Sequence, residues 1–217
     1  MTIDGHLTNY VLAVVQQPVR VRVSAPGERD RRPIDPCPIL RVKERQLNGD
    51  VVDAVEIDGK YVTIALLYDE TGMNHIANFN ALRVVENNTQ NVDTAECEDV
   101  QVSPLFGCYQ SSTVNVKDLE DNPGVFCCFP DIRVLREGRF RLQFTLFYLP
   151  SDNSHFSHSN TAVATVMSDV FTVFNARDFP GVGKTTELSK KLISQGVPIP
   201  NRTKSRIKPN SEDSSDS

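Results

Sequence analysis

The stretch FPGVGKTT, Phe179 to Thr186, carries the most suggestive chemistry in the chain, because Gly183-Lys184-Thr185 is the closing triplet of a phosphate-cradling loop. Such a loop wraps a phosphate in backbone N–H groups, and its pattern requires a first glycine five residues before the second. That position holds Asp178, a carboxylate that would face the phosphates, and Pro180 removes a further donor. Nucleotide binding is therefore not expected, and the same residues read as a turn feeding a short helix. His155 and His158 have the spacing of metal ligands but lie in a Ser- and Asn-rich stretch without a companion pair, so they read as loop surface. Cys127 and Cys128 occupy an apolar run and read as core and flank, since adjacent cysteines rarely reach a relaxed disulfide geometry. No Ser/His/Asp set and no paired carboxylates are legible, so no catalytic residue, cofactor or metal is assigned.

Arginine offers more. Arg20 and Arg22 alternate with Val19, Val21 and Val23, which puts both cations on one face of a strand. Arg29, Arg31 and Arg32 follow in a loop that contains Pro26 and Gly27. Guanidiniums presented in this way pair bidentately with phosphate, or with the O6 and N7 atoms of guanine. The five arginines together make a candidate DNA-contacting patch. The plainer reading of the loop is a solvated turn, partly neutralised by Glu28 and Asp30.

The charge pattern supports a sided molecule. The net charge is −5, yet Gln16 to Arg45 holds eight Arg or Lys against four acids, and Glu86 to Asp131 holds nine acids against Lys117 alone. From Arg177 to Lys208 the balance is eight basic to two acidic residues. A chain that is acidic overall but basic in patches can still bind a polyanion locally. Five cysteines without a CxxC pair fit reduced thiols, and the N-terminal MTIDGHLTNY lacks the basic and apolar blocks of a signal peptide, so an intracellular protein is expected.

Elements that could position the arginines are mostly strands. Phe140, Leu142, Phe144 and Leu146 alternate with Arg139, Arg141, Gln143 and Thr145 after the turn signal Glu137-Gly138. Further strand-like runs are Tyr10 to Val15, Ile39 to Lys43, Tyr61 to Tyr68, Val125 to Phe129, Ala162 to Val166 and Val170 to Phe174, with breaks at Asn48-Gly49, Asp58-Gly59 and Asn122-Pro123-Gly124. The chain, with 39% hydrophobic residues, reads as an all-β protein, an antiparallel β-sandwich with a few short helices. One helix is expected near the C-terminus, from Thr186 to Gln195, capped by a threonine and closed by Gly196. Lys117 to Asp121 reads as a turn of helix and Glu86 to Asp99 as an acidic loop. Residues 1–9 read as an N-terminal arm, 10–200 as the domain, and 201–217 as a disordered tail, basic and then acidic.

Three blocks in order resemble the velvet domain of fungal regulators: VVQQPVRVRVSAPGERDRRPIDPCPILRV from Val14, LFGCYQSSTVNVKDLEDNPGVFCCFPDIRVLREGRFRLQFTLF from Leu105, and SDVFTVFNARDFPGVGKTTELSKKLISQGVPIP from Ser168. The resemblance implies an immunoglobulin-like sandwich similar to the DNA-binding domain of Rel/NF-κB proteins. It also implies homodimers or heterodimers with another velvet protein, binding to double-stranded DNA, and control of development, sporulation and secondary metabolism. It places DNA contacts on Arg29, Arg31 and Arg32, with Arg20 and Arg22 on the preceding strand. A nuclear methyltransferase-type regulator is the further partner it implies, and nucleus and cytoplasm are the expected locations. The alternative is an interaction scaffold of the same fold that contributes little direct DNA contact. The chain departs from the family pattern at Cys37, where a proline is usual, and at Lys184-Thr185, where an acidic residue and a serine are usual. The second departure creates the likeness to a phosphate loop.

Overall fold

The computed structural model describes residues 9–24, 32–57, 60–85, 96–149 and 161–201. Its elements in chain order begin with β1 (Tyr10–Gln16), β2 (Arg20–Arg22), β3 (Ile39–Arg45), β4 (Val51–Asp53) and β5 (Lys60–Asp69). The middle of the chain adds β6 (Phe79–Val85), β7 (Glu96–Val102), β8 (Leu105–Gly107), β9 (Gln110–Ser112) and β10 (Val114–Lys117). Then follow β11 (Pro123–Cys128), β12 (Ile132–Val134), β13 (Gly138–Leu149), β14 (Thr161–Met167), β15 (Phe171–Phe174) and the helix α1 (Glu187–Ser194).

Two sheets face each other. The first runs β1-β3-β11-β10, with β4 extending along β3; the second runs β2-β15-β13-β5-β9, with β14 also on β13. Pairing is predominantly antiparallel, and β2 with β15 is a parallel exception. The period-two strands behave as their sequences require. Along β13, Phe140, Leu142, Phe144 and Leu146 point inward, and β5 answers with Tyr61, Thr63, Ala65 and Leu67. The first sheet contributes Leu12, Leu40, Val42, Val125 and Cys127 to the same core. Thr63 crosses the gap and donates its hydroxyl to the Cys127 sulfur at 3.2 Å.

β3 and β11 do not alternate, because both of their faces are covered. Ile39, Phe126 and Cys128 form a second apolar cluster with Leu192, Val197 and Ile199, so α1 packs on the outer side of the first sheet. The Thr186 hydroxyl accepts from the Ser189 amide at 3.1 Å and caps the helix, and Gly196 follows it at φ 92°. Leu188 and Leu192 face the sheet, as their spacing required. Burial pushes the Cys127 thiol up to about 11 and raises that of Cys128 as well, so neither is a reactive thiolate at neutral pH.

Two sequence expectations need correction. Lys117 to Asp121 is the hairpin turn from β10 to β11 rather than helix: the Asp118 carboxylate accepts from the amides of Glu120 and Asn122. The same carboxylate bonds Arg41 at 2.8 Å, and that guanidinium lies 5.1 Å above the Phe126 ring. Burial works to raise the Asp118 carboxyl, but the bonds from Arg41, Asn122 and Glu120 outweigh it and hold the group below its usual range. The other correction is Glu96 to Asp99, assigned to an acidic loop; these residues belong to β7, paired with β6 from Val85↔Glu96 onward. Asp58-Gly59, His155 and His158 lie outside the described residues.

Candidate nucleic-acid interface

β2 is short and held from both sides. It pairs in parallel with β15, Arg20 opposite Thr172 and Arg22 opposite Phe174. On its other flank Arg20 exchanges backbone hydrogen bonds with Asp35, at 2.9 and 2.8 Å. Val21 is 1% exposed and enters the core, so Arg20 and Arg22 project from the outer face of the sheet. Both arginines are half-buried, and the Nε atom of each is shut off from water without a hydrogen-bond partner.

The look-alike phosphate loop runs close to them. Phe179 packs on Phe174 with ring centroids 6.2 Å apart, and Gly183 donates its amide to the Asp35 carboxylate at 2.6 Å. Phe174 and Asp35 lie on opposite flanks of β2. The chain from Phe179 to Gly183 therefore crosses β2 on the face that carries the arginines. In a true phosphate loop the amide of Gly183 would serve an anion from outside; here it serves an internal carboxylate. The adjoining cavity, lined by Asp35, Lys184, Thr185, Thr186 and Ser189, holds about 20 Å³. That volume is room for about one water.

Gln16 ties the same loop to the first sheet. Its amide nitrogen donates to the Cys37 carbonyl at 2.7 Å and to the Ser189 hydroxyl at 3.0 Å, and its carbonyl accepts from Thr186 at 2.5 Å. One buried side chain thus joins β1, the segment before β3 and the first turn of α1.

Beyond β2 the chain enters the arginine loop through a defined base. Val23 donates its amide to Phe174 at 2.7 Å and Ser24 to Val134 at 3.0 Å; on the return, Ile34 donates to Ile132 at 2.9 Å. Ile132 and Val134 lie two residues apart on β12, so the two stems attach roughly 7 Å from each other. β12 is itself pinned by β8, Ile132 opposite Gly107 and Val134 opposite Leu105. Arg133, buried, lies 4.5 Å above the Phe106 ring. Arg32 is half-buried on the returning stem, whereas Arg29 and Arg31 lie outside the described residues. The structure thus brings Arg20, Arg22 and Arg32 to one region of the surface, at the base of the loop.

Three exposed cations distant in sequence join this region. Arg136 follows β12, Arg177 follows β15 and Lys184 follows Gly183. Only the nonlocal pairing of β2 with β15, and of its flanks with β12 and Asp35, brings them there. Among the described residues no group of three or more His, Cys, Asp or Glu is placed to hold a metal ion, and no helix is long and apolar enough to cross a membrane.

An antiparallel sandwich with a capped C-terminal helix is the fold that the sequence implied, and the family comparison agrees with it. The family model of the velvet factor matches residues 10–103 and 80–206. This chain belongs to the velvet family. It is 34% identical over 195 residues to the sexual development regulator VELC of Pyricularia oryzae, an alignment covering 88% of this chain and 40% of that protein. It is 31% identical over 191 residues to the spore development regulator vosA of Beauveria bassiana, covering 87% and 64%. It is 28% identical over 233 residues to the developmental and secondary metabolism regulator VEL1 of Botryotinia fuckeliana, covering 91% and 36%. The chain thus spans about two fifths of the length of VELC, and less of VEL1.

Proposed function

We propose that this chain is a dimeric, sequence-specific DNA-binding regulator of fungal development, sporulation and secondary metabolism. The supporting observation is the base of the arginine loop, where Ser24 and Ile34 are fixed on β12 beside the outward-facing Arg20 and Arg22. A loop held at both stems presents its guanidiniums at less entropic cost than a free tail. One such loop reads few base pairs, so pairing two chains doubles the phosphate contacts and imposes a half-site spacing. The names of the relatives, regulators of sexual development, spore development and secondary metabolism, supply the biological programme.

The test is the triple variant Arg29→Ala, Arg31→Ala, Arg32→Ala against duplexes selected from random DNA by the parent chain. Loss of a base-reading arginine costs roughly 1–3 kcal/mol, and each lost phosphate contact lowers the salt slope by about one. The variant is expected to bind at least tenfold more weakly, and light scattering of the parent on its selected duplex is expected to give two chains per site. A folded variant that binds as tightly as the parent would sink the DNA-reading role.

The second reading, a velvet scaffold that dimerises while its partner makes most of the DNA contact, draws on the β3–β4 hairpin, which exposes Leu47, Val51, Val52 and Val55. It gains the advantage if the triple variant keeps its partner and its biological activity. The basic run Arg202 to Lys208 is proposed to direct part of the protein from cytoplasm to nucleus. In a fluorescent fusion too large to diffuse, deletion of residues 201–217 should abolish nuclear signal. Unchanged signal without a partner rules the tail out.

A further inference from the structure

We infer that the DNA-contacting surface extends beyond the arginine loop onto Arg136, Arg177 and Lys184, which act as a phosphate-binding rim around the base of the loop. The inference rests on the DNA-binding reading above and deepens it. These cations lie in three separate connecting segments, each attached close to β2 or its flanks. Arg136 comes two residues after Val134, whose carbonyl accepts from Ser24 at the outgoing stem. Arg177 lies in the turn after β15, and because β15 and β2 are parallel, this turn leaves the sheet at the same end as the arginine loop. Lys184 follows Gly183, whose amide is anchored on Asp35, the residue that flanks Arg20.

All three side chains are exposed, and none is in an ion pair with a described residue. A cation beside the rim is already engaged: Arg139 pairs with Glu70 at 3.1 Å. The acids beside the rim are partly accounted for in the same way. Asp35 accepts from Gly183, and Asp178 accepts from the Asn175 side chain at 2.7 Å within a turn whose Asn175 Oδ1 also takes the amides of Arg177 and Asp178. Glu137, next to Arg136, remains as an exposed acid. Exposed cations without an ion pair among the described residues suit a phosphate chain, because counterion release rewards each contact.

The experiment compares the parent, the rim variant Arg136→Gln, Arg177→Gln, Lys184→Gln, and a control of equal charge, Arg45→Gln, Lys60→Gln, Lys117→Gln. The control residues are exposed and lie at the far ends of β3, β5 and β10. Each binds a short random-sequence duplex across a salt series, with circular dichroism confirming the fold. The rim variant is expected to lower the slope of log affinity against log salt by about two to three units, at roughly 0.9 per phosphate contact, and the control by much less. Equal slopes for rim and control variants, with the loop triple variant still impaired, would overturn this inference and leave the DNA-binding reading standing. A parent without salt-dependent duplex binding would overturn both.

Discussion

Replacing Phe144 by alanine will lower the stability of the folded chain by about 3–5 kcal/mol. Phe144 is fully buried in the middle of β13, opposite Ala65 on β5 and Val166 on β14. Its ring lies 5.0 Å from that of Phe129, tilted by 45°, and so bridges the central strand of the second sheet to the end of β11 in the first. The neighbours across both strands are small or β-branched and cannot swing into the space, so a cavity remains and adds to the lost transfer energy. The deficit is global because β13 pairs with β5, β14 and β15 at once. Urea unfolding should show a large drop in midpoint at constant slope, whereas Leu47→Ala, at a fully exposed side chain, should leave the midpoint almost unmoved. Similar midpoints for the two variants would mean that the two sheets are not joined through this ring.

The residues that make this prediction possible are those the sequence displays best. β2 and β13 alternate apolar and polar residues, so both the strand and its inward face can be read directly, whereas β1 and β5 are near-continuous apolar runs that mark a strand without saying which face is inward, and β5 turns Thr63 into the core. α1 announces itself through Thr186, the Leu188–Leu192 spacing and Gly196. What escapes is structure with too few residues for a period. β4, β8, β9 and β12 have three residues each, and their existence depends on a partner distant in sequence. β7 escapes for another reason: Glu96, Glu98 and Asp99 give it a solvent-facing composition that outweighs Cys97, Val100 and Val102. In the candidate site, the outward direction of Arg20 and Arg22 was legible from Val21, but their half-burial was not. Nor does any local pattern encode the contacts of Phe179 with Phe174 and of Gly183 with Asp35 that bring the look-alike loop to this strand. The rim residues were scattered in sequence for the same reason.

Gly107→Ala should act on both stability and the candidate interface. Gly107 has φ 87°, where a side chain costs roughly 1–2 kcal/mol in any surroundings. Here the surroundings are worse than open. A Cβ at this position would be driven into the backbone carbonyl oxygen of Asp131 and would also press on Arg133 Nε at 3.2 Å. That carbonyl accepts from the Cys108 amide at 2.9 Å, so relief requires β8 and β12 to separate. Separation disturbs more than a two-stranded ribbon, because Ile132 and Val134 on β12 hold Ile34 and Ser24, the two stems of the arginine loop. Gly49 supplies the control. It has φ 90° in the β3–β4 hairpin and nothing within 4 Å of its Cβ position, so Gly49→Ala carries the backbone cost alone. Gly107→Ala is expected to lose at least about 2 kcal/mol more than Gly49→Ala in urea unfolding, the size of effect that a forced backbone shift produces. It should also weaken duplex binding by more than its unfolded fraction accounts for, since the loop loses its fixed base while its arginines remain. Equal unfolding midpoints for the two alanine variants would show that β8 and β12 part at little cost, and β12 could not then be what holds the loop.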